Sequence, residues 1–269
     1  MIIDERHEIA FLHIPKCAGT TIRSLLQAFD SNAGLFSDRV EMHPQLGMID
    51  YVHIPLFVLD KYFPKEFNLV KKFWSFAVVR DPHSRFASSV AQRIKMYSGK
   101  SLKAMSRSDL AKEIDYCIQF LEANGGYGKL LPPDFIHFQR QSDFLFLNSD
   151  LIVKNVYSTD EMSSLIKTLK SKIGTELQIS DQVDEYKLNQ SYLYRNAFFR
   201  IVFSKVLPGF IKFKRFLPTQ LVNRIKGFVY VANTEKMQDA FYDKKVTDFV
   251  DRYYSSDILL LEKVVRGEI

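Results

Sequence analysis

The sequence predicts an α/β fold in which a mostly parallel sheet carries helices on both faces. Two apolar segments, residues 9–14 and 74–80, read as buried strands, and each leads into a short turn and a helix. A third predicted strand, residues 150–157, is followed by a capping box of Ser158 and Glu161 and by a helix that ends at Gly174. Repeated strand–turn–helix units are typical of parallel sheets, whose strands present their following loops at one edge.

The turn after the first strand has the composition of an anion-binding site. A helix that begins near Thr20 points its free N–H groups and the positive end of its dipole into this turn. Gly19 tolerates backbone angles that other residues resist, and Lys16 adds a positive charge. The sequence therefore predicts a cradle for phosphate or sulfate, formed by Pro15, Lys16, Cys17, Ala18, Gly19, Thr20 and Thr21. The simpler alternative is an ordinary strand–turn–helix with a solvated lysine.

A second turn of similar character follows the second strand. Asp81 suits a helix N-cap and Pro82 suits the first helical position. Arg80, at the end of the strand, can place its guanidinium fork on a phosphate, and Ser88, two turns into the helix, can add a hydroxyl. A capped helix with a surface arginine is the simpler alternative. Two such turns in this order favour a nucleotide site.

Together the two turns resemble the nucleotide-binding motifs of sulfotransferases that use 3′-phosphoadenosine 5′-phosphosulfate (PAPS). Residues 13–20, HIPKCAGT, are similar to the family's 5′-phosphosulfate loop H-I-P-K-T-A-G-T, with Cys17 in place of threonine. That position contributes mainly its backbone N–H, so we expect the change to be tolerated. Arg80 and Ser88 match the residues of R-D-P-x-x-R-x-x-S that hold the 3′-phosphate in the family. The resemblance implies a P-loop-like sulfotransferase fold, with PAPS as donor and the bisphosphate PAP as product.

Transfer to a hydroxyl also requires a base. The family carries a candidate histidine between the two motifs, and residues 51–56 loosely resemble that segment, which indicates His53. A packed strand histidine explains His53 equally well. His43 is the next candidate base, and His137 is the third. His137 opens the segment HFQRQ, which is similar to an H-x-x-x-Q element of bacterial members.

The composition predicts a single sulfotransferase domain over residues 1–269. Hydrophobic residues make up 46% of the chain, which supports a substantial core. Two cysteines provide no disulfide framework and fit a reducing compartment. Charged residues within the first ten positions argue against a signal peptide, and no apolar run is long enough to span a bilayer. The expected location is the cytoplasm, with contact to the inner face of the membrane.

That membrane contact is predicted from one basic segment, residues 186–234. It holds nine of the 37 basic side chains and no acidic one, so the rest of the chain has 28 basic against 31 acidic side chains. Aromatic and aliphatic residues alternate with the basic ones, a composition typical of helices that lie in a membrane interface. The alternatives are a core-packed helical hairpin with a basic outer face, or a surface for an anionic glycan. No nucleic-acid motif accompanies the charge, so a nucleic-acid partner is not expected.

These observations predict a PAPS-dependent enzyme that moves a sulfuryl group to a hydroxyl of a carbohydrate, either a polysaccharide or a glycolipid. The carbohydrate acceptor is implied by the family resemblance. Lys16 and the turn N–H groups would stabilise charge on the leaving phosphate. No metal is expected, since the sulfuryl group carries fewer charges than a terminal phosphate and no clear carboxylate site is present.

Two other functions are compatible with the sequence. One is a P-loop-like kinase or NTPase, although the pattern G-x-x-x-x-G-K-[ST] is absent because Lys16 precedes Gly19. The other is a non-catalytic, membrane-associated binding protein that keeps the nucleotide fold. The sequence does not predict an oligomeric state.

Overall fold

The computed structural model of the protein describes residues 1–37, 39–97, 105–177, 192–194, 230–232 and 238–269. The chain divides into two compact units, Met1–Val183 with Asp243–Ile269, and Asp184–Tyr242. Among these described residues, no helix combines the length and the apolar character needed to cross a bilayer.

Strands and helices alternate along most of the chain. The strands are β1 (Ile2–Asp4), β2 (Ile9–Leu12), β3 (Val40–His43), β4 (Gly47–Asp50), β5 (Trp74–Val79), β6 (Phe146–Leu147), β7 (Asp150–Leu151), β8 (Asn155–Ser158), β9 (Tyr192–Tyr194) and β10 (Tyr230–Ala232). The helices are α1 (Gly19–Leu26), α2 (Leu56–Tyr62), α3 (Pro64–Lys72), α4 (Pro82–Tyr97), α5 (Arg107–Asn124), α6 (Met162–Ile173), α7 (Gln238–Phe241), α8 (Lys244–Tyr253) and α9 (Ser255–Val265).

A four-stranded sheet in the order β1-β2-β5-β8 forms the centre of the first unit. β1 runs antiparallel to β2, whereas β2, β5 and β8 are parallel. All four residues of β2 and five of the six in β5 are buried, as expected of strands covered on both faces. The predicted α/β fold with a mostly parallel sheet is therefore confirmed.

The register of the parallel strands brings their following loops together. Leu12 pairs with Ala77, and Val79 pairs with Ser158, so β2, β5 and β8 end at the same edge. The loops that begin at residues 13 and 80 are consequently neighbours. Parallel sheets bind ligands at this edge, which makes it the place to look for the site.

Capping residues in the sequence correctly predicted where α4 begins and where α6 begins and ends. Asp81 accepts a hydrogen bond from the Ser84 N–H, as an N-cap residue should, and α4 begins at Pro82. Ser158 and Glu161 form the predicted capping box before α6, and Gly174 ends that helix with φ 78°. The cap, the box and the terminal glycine are all confirmed.

Three predicted elements have different bounds. The first strand ends at Leu12 and not at residue 14, because the chain turns there and the Ile14 N–H donates to the Leu12 carbonyl. The strand predicted over 150–157 is two short strands, β7 and β8. Apolar residues recur at helical spacing over residues 246–265 and predict a single helix, but the chain forms two helices, α8 and α9, which meet at Tyr254.

In the second unit, β9 and β10 form an antiparallel pair in which Tyr194 lies opposite Tyr230. These six residues and α7 are the part of that unit that the structure describes, together with Tyr242. β9 and β10 both lie within the basic segment 186–234, so the prediction of a helical insertion is wrong for these six residues. The remainder of that segment lies outside the described residues.

Candidate active site

The turn between β2 and α1 has the backbone of an anion-binding loop. Lys16 and Ala18 both have left-handed backbones, with φ of 65° and 59°, although neither is glycine. Ala18 is the N-cap of α1 and provides no side-chain cap, so the first N–H groups of this helix are open to a ligand. A left-handed backbone at alternate positions of a turn forms a concavity lined by N–H groups, which suits an anion. The geometry agrees with the predicted cradle.

Gly19 is required by a neighbouring histidine. A Cβ placed on Gly19 would lie 1.8 Å from Nε2 of His13, so any larger residue would displace that ring. His13 is buried at the end of β2 and stacks on Phe11, with 5.7 Å between the ring centroids. Gly19 therefore brings the predicted phosphate loop, residues 15–21, into contact with a buried imidazole.

Lys16 extends its side chain toward α4. Its Nζ donates to Oε1 of Gln92 over 3.2 Å. Burial lowers the pKa of the Lys16 ammonium, and the charges of Arg80 and Lys95 lower it further. Lys16 thus feels the charge of two other cations, and no carboxylate pairs with it in the described chain, a setting that favours an anion.

The Arg80 side chain lies against the same loop. Its Nε donates to Oγ of Ser84 over 2.9 Å, and its Nη1 lies 3.4 Å from the Lys16 carbonyl. Ser88 is half-buried one helical turn beyond Ser84 on α4, and Gln92 lies one turn further. Since Ser84 contacts Arg80 and Gln92 contacts Lys16, Ser88 lies on the face of α4 that looks toward the loop.

Gln141 holds the two predicted turns together. Its Oε1 accepts the Arg80 N–H over 2.8 Å, and its Nε2 donates to the Arg80 carbonyl over 2.9 Å. The Cys17 thiol donates to the same Oε1 over 3.2 Å. Burial raises the pKa of this thiol to about 12, so Cys17 remains a protonated donor. The substituted position in the loop therefore contributes its side chain as well as its backbone.

The C-terminal helix α9 holds the backbone of Gln141 in place through hydrogen bonds to Asp257. Asp257, in its first turn, is fully buried and accepts the N–H groups of Gln141 and Ser142. Arg85 lies 3.8 Å from Asp257 and donates to the His137 and Gln139 carbonyls. Arg85 is thus a buried structural residue, which fixes the segment that contains His137.

A cluster of three histidines lies beside the phosphate loop. The His13 and His53 ring centroids are 4.6 Å apart, and those of His53 and His137 are 5.3 Å apart. Nδ1 of His53 lies 3.0 Å from Oδ2 of Asp50. Because His13 also touches Gly19, the loop and the cluster form one continuous site.

Burial lowers the pKa of two imidazoles in this cluster. It lowers the pKa of His137 to about 3, and the charges of His53 and Lys16 act in the same direction. Burial and the charge of His53 lower the pKa of His13 well below its usual value. At Asp50, burial acts to raise the pKa, but the hydrogen bond and charge of His53 outweigh it, so the pKa is lowered. The cluster thus contains an ionised carboxylate at Asp50 and neutral imidazoles at His13 and His137.

Most residues predicted for the site meet at this edge of the sheet. Lys16, Gly19, Arg80 and His53 are linked through the contacts above, and Pro15 and Cys17 are buried within the loop. Thr20 is exposed and Thr21 is buried at the start of α1. That these residues bind the sulfuryl donor stays a prediction.

The other candidate histidines lie in different environments in the structure. His137 joins the cluster, whereas the ring of His43 contacts Tyr62 and Phe63. His83, in the first turn of α4, is partly exposed, and Nε2 of its ring pairs with Asp251 over 2.9 Å.

Several residues of the site were not found by sequence reasoning. Asp50 is three positions before His53, a spacing that could have indicated the pair. Gln92 could have been found as the residue one turn after Ser88 on the same helix face. The contacts of Asp257 could not be predicted from a local pattern, because its partners at 141 and 142 are more than a hundred residues away.

A model of the sulfotransferase family matches residues 1–150 of this chain, which is more than half of its length. The matched region contains the phosphate loop, Arg80, Ser88 and the histidine cluster. Comparisons with curated proteins and with solved structures gave no match. The chain belongs to the sulfotransferase family.

Proposed function

We propose that this chain transfers a sulfuryl group from PAPS to a hydroxyl of a carbohydrate acceptor. The observation that carries the proposal is the chain of contacts from Gly19 through His13 to His53. These contacts link the predicted anion-binding loop to a histidine that pairs with a carboxylate, and this supports the proposal. Sulfuryl transfer needs both an anion site for the donor and a base for the acceptor.

The donor set in this site fits PAPS. Lys16 and the open N-terminus of α1 suit the 5′-phosphosulfate end, since both present positive charge or N–H donors to an anion. Arg80 and Ser88 suit the 3′-phosphate, because a guanidinium can bind a phosphate through two parallel hydrogen bonds. The family resemblance of both turns supports the same assignment.

The proposed mechanism assigns one role to each residue around the reacting atoms. When bound, PAPS supplies an activated sulfuryl group on its 5′-phosphate. His53 takes the proton of the acceptor hydroxyl as that oxygen attacks sulfur. Asp50 accepts the Nδ1–H of His53, which leaves the lone pair of Nε2 free to act as base. Lys16 and the loop N–H groups stabilise the negative charge that grows on the departing phosphate.

We also propose that the basic segment 186–234 docks on an anionic membrane surface. Its nine basic residues, its lack of acidic ones and its aromatic content support this role. A glycolipid acceptor is presented at such a surface, so docking would bring enzyme and acceptor together.

A thermal-shift panel of PAP, AMP, ADP and ATP, with and without Mg²⁺, tests the nucleotide class. Ligand binding to the folded state raises the unfolding temperature by mass action. We expect PAP to stabilise the protein more than AMP, because PAP alone of the two has the 3′-phosphate that Arg80 would bind. Stronger stabilisation by ATP with Mg²⁺ would instead support a kinase or NTPase.

Replacing the base tests the mechanism. His53→Ala should abolish transfer and leave PAP affinity unchanged, because a base acts on the acceptor and not on the donor. Transfer of labelled sulfate and calorimetry with PAP measure the two effects separately. His43→Ala is the matched control and should retain activity. An active His53→Ala enzyme beside an inactive His43→Ala or His137→Ala enzyme would show that the base is misplaced.

A further inference from the structure

Asp50, His53 and His137 form a three-ligand cluster beside the phosphate loop. Each can offer one ligand atom, and these atoms all lie within 4.8 Å of one another. Asp50 ends β4, His53 follows it before α2, and His137 lies in the 3-10 turn Ile136–Phe138, so two separate segments converge. We propose that this cluster binds one divalent transition-metal ion, with Zn²⁺ as the best-fitting example.

The donor set determines the class of ion. Two imidazoles and one carboxylate are ligands typical of zinc, whereas Mg²⁺ and Ca²⁺ favour oxygen ligands alone. Three protein ligands with an open fourth position are the usual arrangement of an accessible zinc site. The cluster therefore fits Zn²⁺ or Co²⁺ and excludes a dedicated magnesium site.

The spacing of the cluster is close to what a shared ion needs. Two ligand atoms bound to one tetrahedral ion at zinc–nitrogen distances lie about 3.4 Å apart. One pair of candidate ligand atoms, Oδ2 of Asp50 and Nδ1 of His53, is separated by 3.0 Å. The ring centroids of His53 and His137 are 5.3 Å apart, near the roughly 5.2 Å of two imidazoles on one such ion. Small side-chain rotations would complete the site.

The surroundings of Asp50 favour a cation. Its Oδ1 accepts the Val52 N–H over 2.9 Å and its Oδ2 faces His53, and no Lys or Arg pairs with it in the described chain. Its side chain is 13% exposed and that of His53 is 10% exposed, so water compensates the carboxylate charge only in part. A bound ion would compensate the charge of this largely buried carboxylate.

Metal binding would control the reaction, a consequence that rests on the proposed function. An ion bound to His53 occupies a ring nitrogen and constrains the base that should accept the acceptor proton. Bound metal should therefore inhibit transfer, and the transfer reaction itself requires no metal. His137 then has a role as a metal ligand that is separate from base catalysis.

Metal binding can be measured on the full chain alone, without PAPS or acceptor. A tag-free protein treated with chelator should bind one Zn²⁺ per chain in calorimetry, and Co²⁺ should produce the visible absorption of a low-symmetry site. His137→Asn and Asp50→Asn should each weaken Zn²⁺ binding by about 10-fold or more. His83→Asn is the matched control, because His83 also pairs with an aspartate, Asp251, but has no second imidazole nearby in the described residues.

The outcomes separate the metal site from the proposed function. No Zn²⁺ binding, or equal weakening in the His83→Asn control, would overturn the site. If the His137 and Asp50 variants fail to fold, X-ray absorption of the zinc-loaded wild type still decides, since the site requires two imidazole ligands. Binding without inhibition of transfer would overturn the regulatory role. Absence of transfer under every condition would overturn the proposed function and leave the binding result intact.

Discussion

Lys16 is a cation held in a place that disfavours its charge. Burial and the neighbouring charges of Arg80 and Lys95 lower the pKa of its ammonium. Its hydrogen-bond acceptor is the uncharged amide of Gln92, at 3.2 Å. A bound anion would relieve this electrostatic cost, and the relief would be greatest when charge grows on the leaving phosphate.

Lys16→Ala should therefore lower turnover about 100- to 1000-fold, the range observed when one donor to a transition state is removed. PAP should still bind, because the loop N–H groups and Arg80 remain. Steady-state transfer assays and calorimetry measure the two quantities. Lys72→Ala, a change at a side chain that is 72% exposed, is the control. Unchanged turnover in folded Lys16→Ala would remove this residue from the mechanism.

Arg80 has a side chain that can be removed with little effect on the turn. Gln141 holds both the N–H and the carbonyl of Arg80, so the backbone stays in place without the guanidinium. Arg80→Ala should weaken PAP far more than AMP, because only PAP has a 3′-phosphate. Calorimetry with both nucleotides measures the difference, and Arg266→Ala, at an exposed pair with Glu262, is the control. Equal losses for PAP and AMP would contradict the assignment.

The turn Ser142–Phe144 contains a carboxyl group that opposes stability at neutral pH. Burial raises the pKa of Asp143 to about 7, although Gln139 donates a hydrogen bond to it. The unfolded carboxyl ionises near pH 4, so between about pH 4 and 7 the folded state keeps a proton that the unfolded state has lost. The contribution of this group to the free energy of unfolding therefore falls as pH rises through that window.

Asp143→Asn should remove this pH dependence, since the amide keeps an acceptor for Gln139 and does not titrate. Relative to wild type, its free energy of unfolding should gain about 2–3 kcal/mol between pH 5 and pH 8. Urea unfolding at the two pH values measures this gain. Asp150→Asn, at an exposed carboxylate, should show no such gain. An unchanged pH slope in Asp143→Asn would show that Asp143 is not the titrating group.

Elements with local signals could be predicted from the sequence. Apolar runs marked β2 and β5, and an aspartate before a proline marked the start of α4. The break between α8 and α9 could not be predicted, because the helical spacing of apolar residues continues through it. At the break, the Tyr254 hydroxyl donates to the Phe138 carbonyl, 116 residues away, a contact that no local pattern indicates.

The same distinction applies to the site. Motifs within one turn, such as Lys16 with Gly19, were visible as short patterns. The hydrogen bonds between Gln141 and Arg80 were not visible in this way, because the two residues are 61 positions apart in sequence. The approach of His137 to His53 likewise depends on the packing of Arg85 against the segment that contains His137. Only the folded chain shows that these residues form one site.

At the scale of the whole molecule, charge is distributed unevenly along the chain. The net charge of +6 arises because nine basic residues lie in residues 186–234, while the remainder has 28 basic and 31 acidic side chains. An anionic surface would therefore attract this segment and weakly repel the rest. Screening at physiological ionic strength shortens the range of this attraction to about 8 Å, so it acts near the surface.

The full-length protein should co-sediment with vesicles that contain anionic lipid at low salt, and less as salt rises. Each basic side chain near such a surface contributes about 1 kcal/mol to binding. Replacing Lys212, Lys214 and Arg215 by glutamine should therefore weaken vesicle binding by a factor on the order of 100. Replacing the exposed Lys61, Lys65 and Lys72 instead is the matched control and should leave it unchanged. Equal pelleting with neutral vesicles, or equal losses in the two triple variants, would show that the basic segment does not direct membrane contact.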